Sequence, residues 1–393
     1  MTSGKAFKEF VADYDGIICF GGEDWWYHNR GHNDIRFMQQ FKKDVPVLFI
    51  NSVGLRVPSL KQKSVFFGRI TRKLKSIAKG LVKVEDNFWV LSPFFVPGKI
   101  GGAVSGSVLP LQIKNSARRM GIKKPLLWVV NLNAARYLDS LPYSKLIFQR
   151  SDRLETFPGG DEQLLNSYVD LLLRRADLTV YCNRGLMNDE TSVANAPVFV
   201  DHGVDFERFS LAGQKDEVIL PDVALIPHPR IGFVGGIEKH TFAPELFEEV
   251  VKNLPEFNFV MVGRNAMPPE WCVDYPNVHF LGMKELTEVA DYMAACEVLI
   301  MPWNKTDWIK DCNPIKLKEY LAVGRPIVST YFTELEHYDG YVRIANCSDS
   351  FAEEIKKAIE EGCDAQSFRE RVRNETWVEK VKQLKEYLTH PPK

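Results

Sequence analysis

Apolar residues along the chain fall into short runs, bounded by polar or turn-forming residues and separated by stretches with helical periodicity. In the first half the runs are Gly16–Phe20, Val45–Asn51, Phe88–Leu91, Leu126–Asn131, Lys145–Gln149, Leu178–Tyr181 and Val198–Val200. Helical stretches such as His32–Phe41 and Asp161–Arg175 lie between them. A loop-like stretch near 210–229 carries Pro221, Pro227 and Pro229, and then the pattern restarts. Its strands read Ile231–Val234, Phe257–Val262, Val278–Leu281, Val298–Met301, Ile327–Thr330 and Tyr341–Ile344. Helical segments near 243–253, 285–295, 314–323 and 349–361 separate them. Strands alternating with helices predict parallel sheets covered on both faces. The restart predicts an α/β chain of two doubly wound Rossmann-like domains, residues 1–210 and 211–375, with a cleft between them. Val378, Val381, Leu384, Tyr387 and Leu388 recur at helical spacing, so 376–393 reads as a closing helix. It either packs back on the first domain or forms an extra surface helix of the second.

Composition narrows the chemistry. A chain of 393 residues is long enough for two cores. Its net charge of −1 supplies no field to draw nucleic acid, which is not expected as a partner. The seven cysteines are scattered and form no C-x-x-C pair, against a zinc site or disulfide framework and for a reducing compartment. No apolar leader opens the sequence and no 18 apolar residues run together, so the expected location is cytoplasmic or on the cytosolic face of a membrane. His28, His32 and His240 lack partners at metal-ligand spacing, and no protein-held metal or other cofactor is expected.

The most informative segment is Asp311-Cys312-Asn313-Pro314-Ile315-Lys316-Leu317-Lys318-Glu319-Tyr320, continuing to Gly324-Arg325-Pro326. Asn313 is suited to an N-cap, Pro314 to the first helical position, and Gly324 with Pro326 to the close of a helix. The helix follows a strand, so its start lies at the carboxyl edge of the sheet, where open α/β folds bind ligands. Free N–H groups of Ile315 and Lys316, the helix dipole and the Lys316 ammonium would make an anion site. Lys316 and Glu319, three apart, offer a cation for a diphosphate beside a carboxylate for a ribose diol. The same spacing also suits a solvated ion pair on an ordinary helix.

Asp311-x7-Glu319 followed by A-V-G-R-P-I-V resembles the E-x7-E signature of GT-B glycosyltransferases, particularly family 4. Gly232-Phe233-Val234-Gly235-Gly236 resembles the glycine loop opening their nucleotide domain. Val262-Gly263-Arg264 and Val278 to Met283 resemble later landmarks in the family's order, and His202-Gly203-Val204-Asp205 to Phe209 resembles the step before the linker. The likeness extends over nearly all of the second domain, and is nearest to teichuronic-acid and xanthan polysaccharide glycosyltransferases. It implies a GT-B fold and transfer of a sugar from a nucleoside-diphosphate donor to a glycan or lipid-linked saccharide acceptor. It also implies that Glu319 holds the ribose, that Lys316, Arg264, Asn313, Ile315 and the Gly235-Gly236 loop serve the diphosphate, and that Met283 meets the base. Asp311 would approach the sugar. Two departures stand out: Asp311 replaces a glutamate, and Pro314 replaces a glycine whose N–H would have been available.

Transfer also needs a group to take the acceptor's proton. Phe148-Gln149-Arg150-Ser151-Asp152 ends a strand of the first domain and resembles an R-x-S-D segment whose acid is the general base in xanthan glucuronosyltransferases. Asp152 is therefore either that base, implying inversion, or a loop-ordering residue, leaving the family 4 expectation of retention. The loop after the first strand, Gly21 to Arg30, offers Glu23, Asp24, Trp25 and Trp26 for acceptor binding, or aromatics that belong to the core. Residues 61–83 hold eight basic residues and no acid, with Phe66, Phe67, Arg69, Arg72, Lys73 and Lys75 among them. As a helix this stretch would suit an anionic membrane surface, or the sheet with its basic face in water.

Overall fold

The computed structural model describes residues 10, 12–27, 31–51, 75–94, 99–156, 161–215 and 220–391. The chain divides into two compact units, residues 1–201 with 380–393, and 202–379.

The first unit is built on an eight-stranded sheet. Its strands are β1 (Gly16–Phe20), β2 (Val47–Ile50), β3 (Leu81–Glu85), β4 (Phe88–Leu91), β5 (Pro125–Val129), β6 (Lys145–Arg150), β7 (Leu178–Tyr181) and β8 (Pro197–Phe199). They lie in the order β3-β4-β2-β1-β5-β6-β7-β8. All pairings are parallel except β3 with β4. Most of the parallel strands are buried along their length, as expected of continuous apolar runs covered on both faces.

The end of the basic stretch departs from the helical reading. Residues 75–77 are helical, Gly80 takes φ +59°, and Leu81 to Lys83 enter β3. Asn87 in the left-handed region (φ 56°) then turns the chain into β4, so local turn chemistry overrides the amphipathic pattern. Phe66, Phe67, Arg69, Arg72 and Lys73 lie outside the described residues, while Lys75 is exposed. No helix among the described residues is long and apolar enough to cross a membrane.

The second unit carries β9 (Arg230–Val234), β10 (Asn258–Val262), β11 (Val278–Gly282), β12 (Val298–Met301), β13 (Ile327–Ser329) and β14 (Arg343–Ile344). The order is β11-β10-β9-β12-β13-β14, all parallel. Sequence order thus reverses between β9 and β12, and in the first unit between β1 and β5. At such switch points the loops after neighbouring strands diverge and leave a crevice at the carboxyl edge.

The helix Phe206–Gly213, across which the expected boundary at 210/211 falls, joins the second core through Phe209 and Ala212. The preceding H-G-V-D step explains this. Val204 N–H donates to the Glu375 carbonyl at 2.8 Å, and a Cβ on Gly203 would stand 2.6 Å from the Trp377 backbone nitrogen. Lys318, 1% exposed in its side chain, donates to the His202 carbonyl at 2.7 Å and pairs with Glu375 at 3.1 Å. It is a buried tie between its own helix, Ile315–Val323, and the segments where the chain enters and leaves this unit. From residue 380 the closing helix belongs to the first unit, where Lys385 pairs with Asp44 at 2.5 Å and Lys145 donates to the Leu388 carbonyl at 2.9 Å.

Candidate functional site

In the second unit the carboxyl ends of β9, β10 and β11 are laced together by backbone. Gly235 N–H donates to the Val262 carbonyl at 2.8 Å and Gly263 N–H to the Gly282 carbonyl at 2.9 Å. Gly235 and Gly263 have φ of +155° and +139°, and a Cβ on Gly263 would stand 1.9 Å from the Gly235 carbonyl oxygen. Only glycine permits that approach. Gly263→Ala is therefore expected to destabilise this unit by at least about 1–3 kcal/mol from backbone strain alone. A lowered midpoint in chemical denaturation checks it.

The helix Ile315–Val323 starts beside this lacing. Pro314 is the N-cap, extended at φ −75°, ψ 125°, so the helix begins one residue later than the Asn313 cap expected from sequence. Gly324 closes it in the left-handed conformation (φ 77°). Buried Tyr320 fixes the helix against β9, its hydroxyl accepting from Val234 N–H at 3.1 Å. This contact places Lys316 at the glycine loop: a Cβ on Gly235 would lie 2.6 Å from the Lys316 Nζ. The ammonium sits 4.8 Å from the Trp303 ring centre and 5.6 Å from that of Phe233. Burial lowers its pKa, and the Glu319 carboxylate, with a smaller pull from Cys312, works the other way. Lys316 is thus half-buried, its ammonium held near two aromatic rings with Glu319 near enough to act on it, rather than a fully solvated surface pair.

The remaining donor-side candidates line the same edge. Gly236 is exposed, Met283 is 63% exposed directly after β11, and Asn313 is buried at the helix start. Asp311 is half-buried, ending the short helix Asp307–Lys310. Arg264 is exposed and ion-paired with Glu238, a residue the sequence reading passed over. Asn304, also passed over, pins the same loop by donating to the Lys239 and Phe242 carbonyls, both at 2.7 Å.

In the first unit Arg150 organises the turn after β6. Its side chain is 1% exposed and pairs with Glu155 at 2.7 Å and Glu190 at 2.8 Å. Burial opposes its charge, but its hydrogen bonds to both carboxylates outweigh it and raise the pKa. A further Arg150 bond, 2.6 Å to the Asp152 carbonyl, fixes the backbone that presents the Asp152 carboxylate. Burial raises the Asp152 pKa; the charges of Arg150 and His32 pull it down, and Glu155 adds to the rise. His32, read from sequence as an ordinary polar residue, is thus a neighbour of the candidate base. Only folding could show this, because 120 positions separate the two (residues 32 and 152).

The loop after β1 is tied down rather than presented whole. Gly22 N–H donates to Asp34 at 2.9 Å, and Asn51 donates to Asp24 at 3.0 Å and accepts from Trp25 N–H at 2.7 Å. Trp25, offered by the sequence either for acceptor binding or for the core, is 1% exposed and packs against Phe49 and Phe88, which places it in the core. Trp26 is half-buried, with its indole N–H on Ser92 at 2.9 Å and the Lys79 ammonium 4.0 Å from its ring centre. Glu23 is half-buried. Among the described residues, no group of three or more His, Cys, Asp or Glu side chains is placed to hold a metal ion.

Residues 228–361 match the family described as glycosyl transferases group 1. Over 207 residues the chain is 26% identical to the Bacillus subtilis protein named "Putative teichuronic acid biosynthesis glycosyltransferase TuaH". That match takes in 48% of this chain and about half (51%) of the relative's length. Among solved structures, sucrose-phosphate synthase from Thermosynechococcus elongatus superposes with a TM-score of 0.67 at 12% identity, over 95% of this chain and 98% of that one. Anabaena HepE, solved with UDP and glucose, gives 0.64 at 13% identity, over 96% and 100%. At such identities the likeness shows the fold, which is GT-B, as the motifs implied. The stretch around Lys316 and Glu319 lies inside residues 228–361, the part that matches the glycosyl transferases group 1 family.

Proposed function

We propose that this protein transfers a sugar from a nucleoside-diphosphate sugar, UDP-linked rather than GDP-linked, to a glycan or lipid-linked saccharide during cell-surface polysaccharide synthesis. The observation that carries the reading is the Lys316 ammonium, held between the Gly235 loop and the Trp303 ring at the β9/β12 switch point, with Glu319 near enough to act on it. A cation desolvated in this way binds a diphosphate more strongly than an exposed lysine would. The family of residues 228–361 and the relative named for teichuronic acid synthesis support the reaction class and pathway type. HepE, solved with UDP and with UDP-glucose, supports the choice of nucleotide. The basic composition of residues 61–83 supports an acceptor carried at an anionic membrane surface.

In this proposal Glu319 accepts from the ribose hydroxyls, and Met283 lies against the base. Lys316, the first N–H groups of its helix and Arg264, once drawn from Glu238, neutralise the departing diphosphate without a protein-held metal ion. Asp311 approaches the sugar. Asp152 takes the proton of the attacking hydroxyl, so the anomeric configuration inverts. Burial, by raising its pKa, makes Asp152 a stronger base than an exposed aspartate.

Thermal unfolding with UDP, UDP-glucose and GDP tests the donor reading. A bound nucleotide at about 100 times its Kd adds roughly 2.7 kcal/mol, a rise of several degrees in Tm. A clear rise with UDP and a smaller one with GDP is the expected result. No rise with either nucleotide would refute it.

A further inference from the structure

We infer that Asn33 Nδ2, Ser151 Oγ and the Asp152 carboxylate form an oxygen-binding subsite that seats a vicinal diol of the acceptor saccharide. The reacting hydroxyl lies on Asp152 and its neighbour on Asn33; the assignment rests on the transferase reading above.

The observation behind it is a hydrogen-bond chain that can run in only one direction. Trp128 has an indole N–H, a donor and nothing else. It donates to Gln149 Oε1 at 2.7 Å, so Gln149 must turn its NH2 the other way. That NH2 donates to Asn33 Oδ1 at 2.5 Å and to Ser151 Oγ at 3.2 Å. With its oxygen taken, Asn33 is left with an outward donor, Nδ2, which is buried and has no hydrogen-bond partner. The residue itself is 7% exposed. An unmet buried donor costs about 1–3 kcal/mol, while a leucine of similar size would carry no such cost. Ser151 Oγ accepts from Gln149, so its own proton remains for a ligand oxygen.

The surroundings identify that ligand. Asn33 opens the helix Asn33–Phe41, capped by His32 in extended conformation (ψ 146°) without a side-chain capping bond. The positive end of that helix therefore faces the subsite. Ser151 precedes Asp152, on whose carboxylate Arg150 and His32 act through their charges. Gln149 thus joins Asn33 and Ser151, each next in sequence to a member of the interacting His32–Asp152 pair, which brings two donors into the neighbourhood of one carboxylate acceptor. A diol complements this arrangement: one hydroxyl gives its proton toward Asp152 and the adjacent hydroxyl oxygen accepts from Asn33. In the transfer step the acceptor O–H proton passes to Asp152 and the acceptor oxygen bonds the anomeric carbon. The anomeric C–O bond to the diphosphate breaks, and its electron pair leaves on the diphosphate. Asn33 orients the acceptor and takes no proton.

A crystal structure of the full chain with UDP, determined with and without methyl α-glucopyranoside, decides the matter. The expected result is an oxygen, of water without the sugar and of a hydroxyl with it, within hydrogen-bond distance of both Asn33 Nδ2 and Asp152. Nδ2 donating to a protein group, or no oxygen there in either crystal, overturns the inference. Asn33→Asp is the matched variant, because it keeps the acceptor that Gln149 needs, removes the donor and puts a carboxylate in its place. Hydrolysis of the UDP-sugar that stabilises the protein most, with water as acceptor, should fall about tenfold at unchanged UDP affinity, the loss of one hydrogen bond. Its acid limb should also move to higher pH, since the new carboxylate enters the neighbourhood of Asp152. Unchanged hydrolysis and an unmoved limb count against the subsite. Failure of UDP to bind the wild type sinks the transferase reading instead, and the crystallographic oxygen is judged separately.

Discussion

Lys316→Met is expected to leave the second unit folded and to bring sugar transfer down by about 10²–10³-fold, the size of loss seen when one transition-state charge partner is removed. The two parts of this expectation have one cause. The lysine stem packs under Trp303 and Phe233, and burial already disfavours its charge, as its lowered pKa records. Methionine keeps the apolar contact and removes a charge that is costly to enclose, so the melting temperature should hold or rise. UDP affinity should fall about 10–100-fold, since a charge-assisted hydrogen bond contributes about 1.5–3 kcal/mol. Calorimetric titration with UDP and a thermal melt of the same sample separate the two effects. Glu319→Ala should also weaken UDP binding, with a smaller effect on UMP-free diphosphate, because its proposed partner is the ribose. Retained transfer in both variants would mean that the helix start does not hold the donor.

Asp152→Asn is expected to bind UDP as the wild type does and to transfer about 10²–10⁴-fold more slowly, the range for loss of a general base. Asparagine preserves the shape of the turn, because the Arg150 bond goes to the backbone carbonyl of residue 152 and is indifferent to the side chain. The pH profile carries the same prediction in wild type. In the proposed reaction, transfer needs Asp152 ionised and Lys316 protonated. The Asp152 pKa is raised by burial, so the acid limb of kcat/KM should lie above the ordinary aspartate range. The Lys316 pKa is lowered by burial, so the alkaline limb should lie below the ordinary lysine range. The bell is therefore narrower than one made by exposed groups. In Asp152→Asn the acid limb should vanish from whatever rate remains; a limb that persists would move the base to another carboxylate, with Asp24 and Glu23 next in line.

Much of the fold was legible because a parallel strand buried on both faces must be an apolar run, and a crossover must be long enough for a helix. Thus β1, β9 and β12 fall on runs visible in the sequence, and Gly324 marks a helix end because it alone adopts a left-handed φ there at no cost. Gly80 and Asn87 turn the end of the basic stretch, 81–83, into an edge hairpin, where local turn chemistry overrides the amphipathic pattern. Between the two readings left open for Trp25, tertiary packing against Phe49 and Phe88 decided for the core.

By itself, then, the sequence determined the alternation of strands and helices, the restart that makes two units, and the residue types at the start of the Ile315–Val323 helix. These depend on periodicity and turn chemistry within a few residues of one another. The tertiary structure alone decided that Lys316 is half-buried rather than fully solvated, that Lys318 is a buried tie, and that His32 and Asn33 come into the neighbourhood of Ser151 and Asp152. Burial and charge at each of those positions are set by side chains far away in the sequence, and no local pattern encodes them.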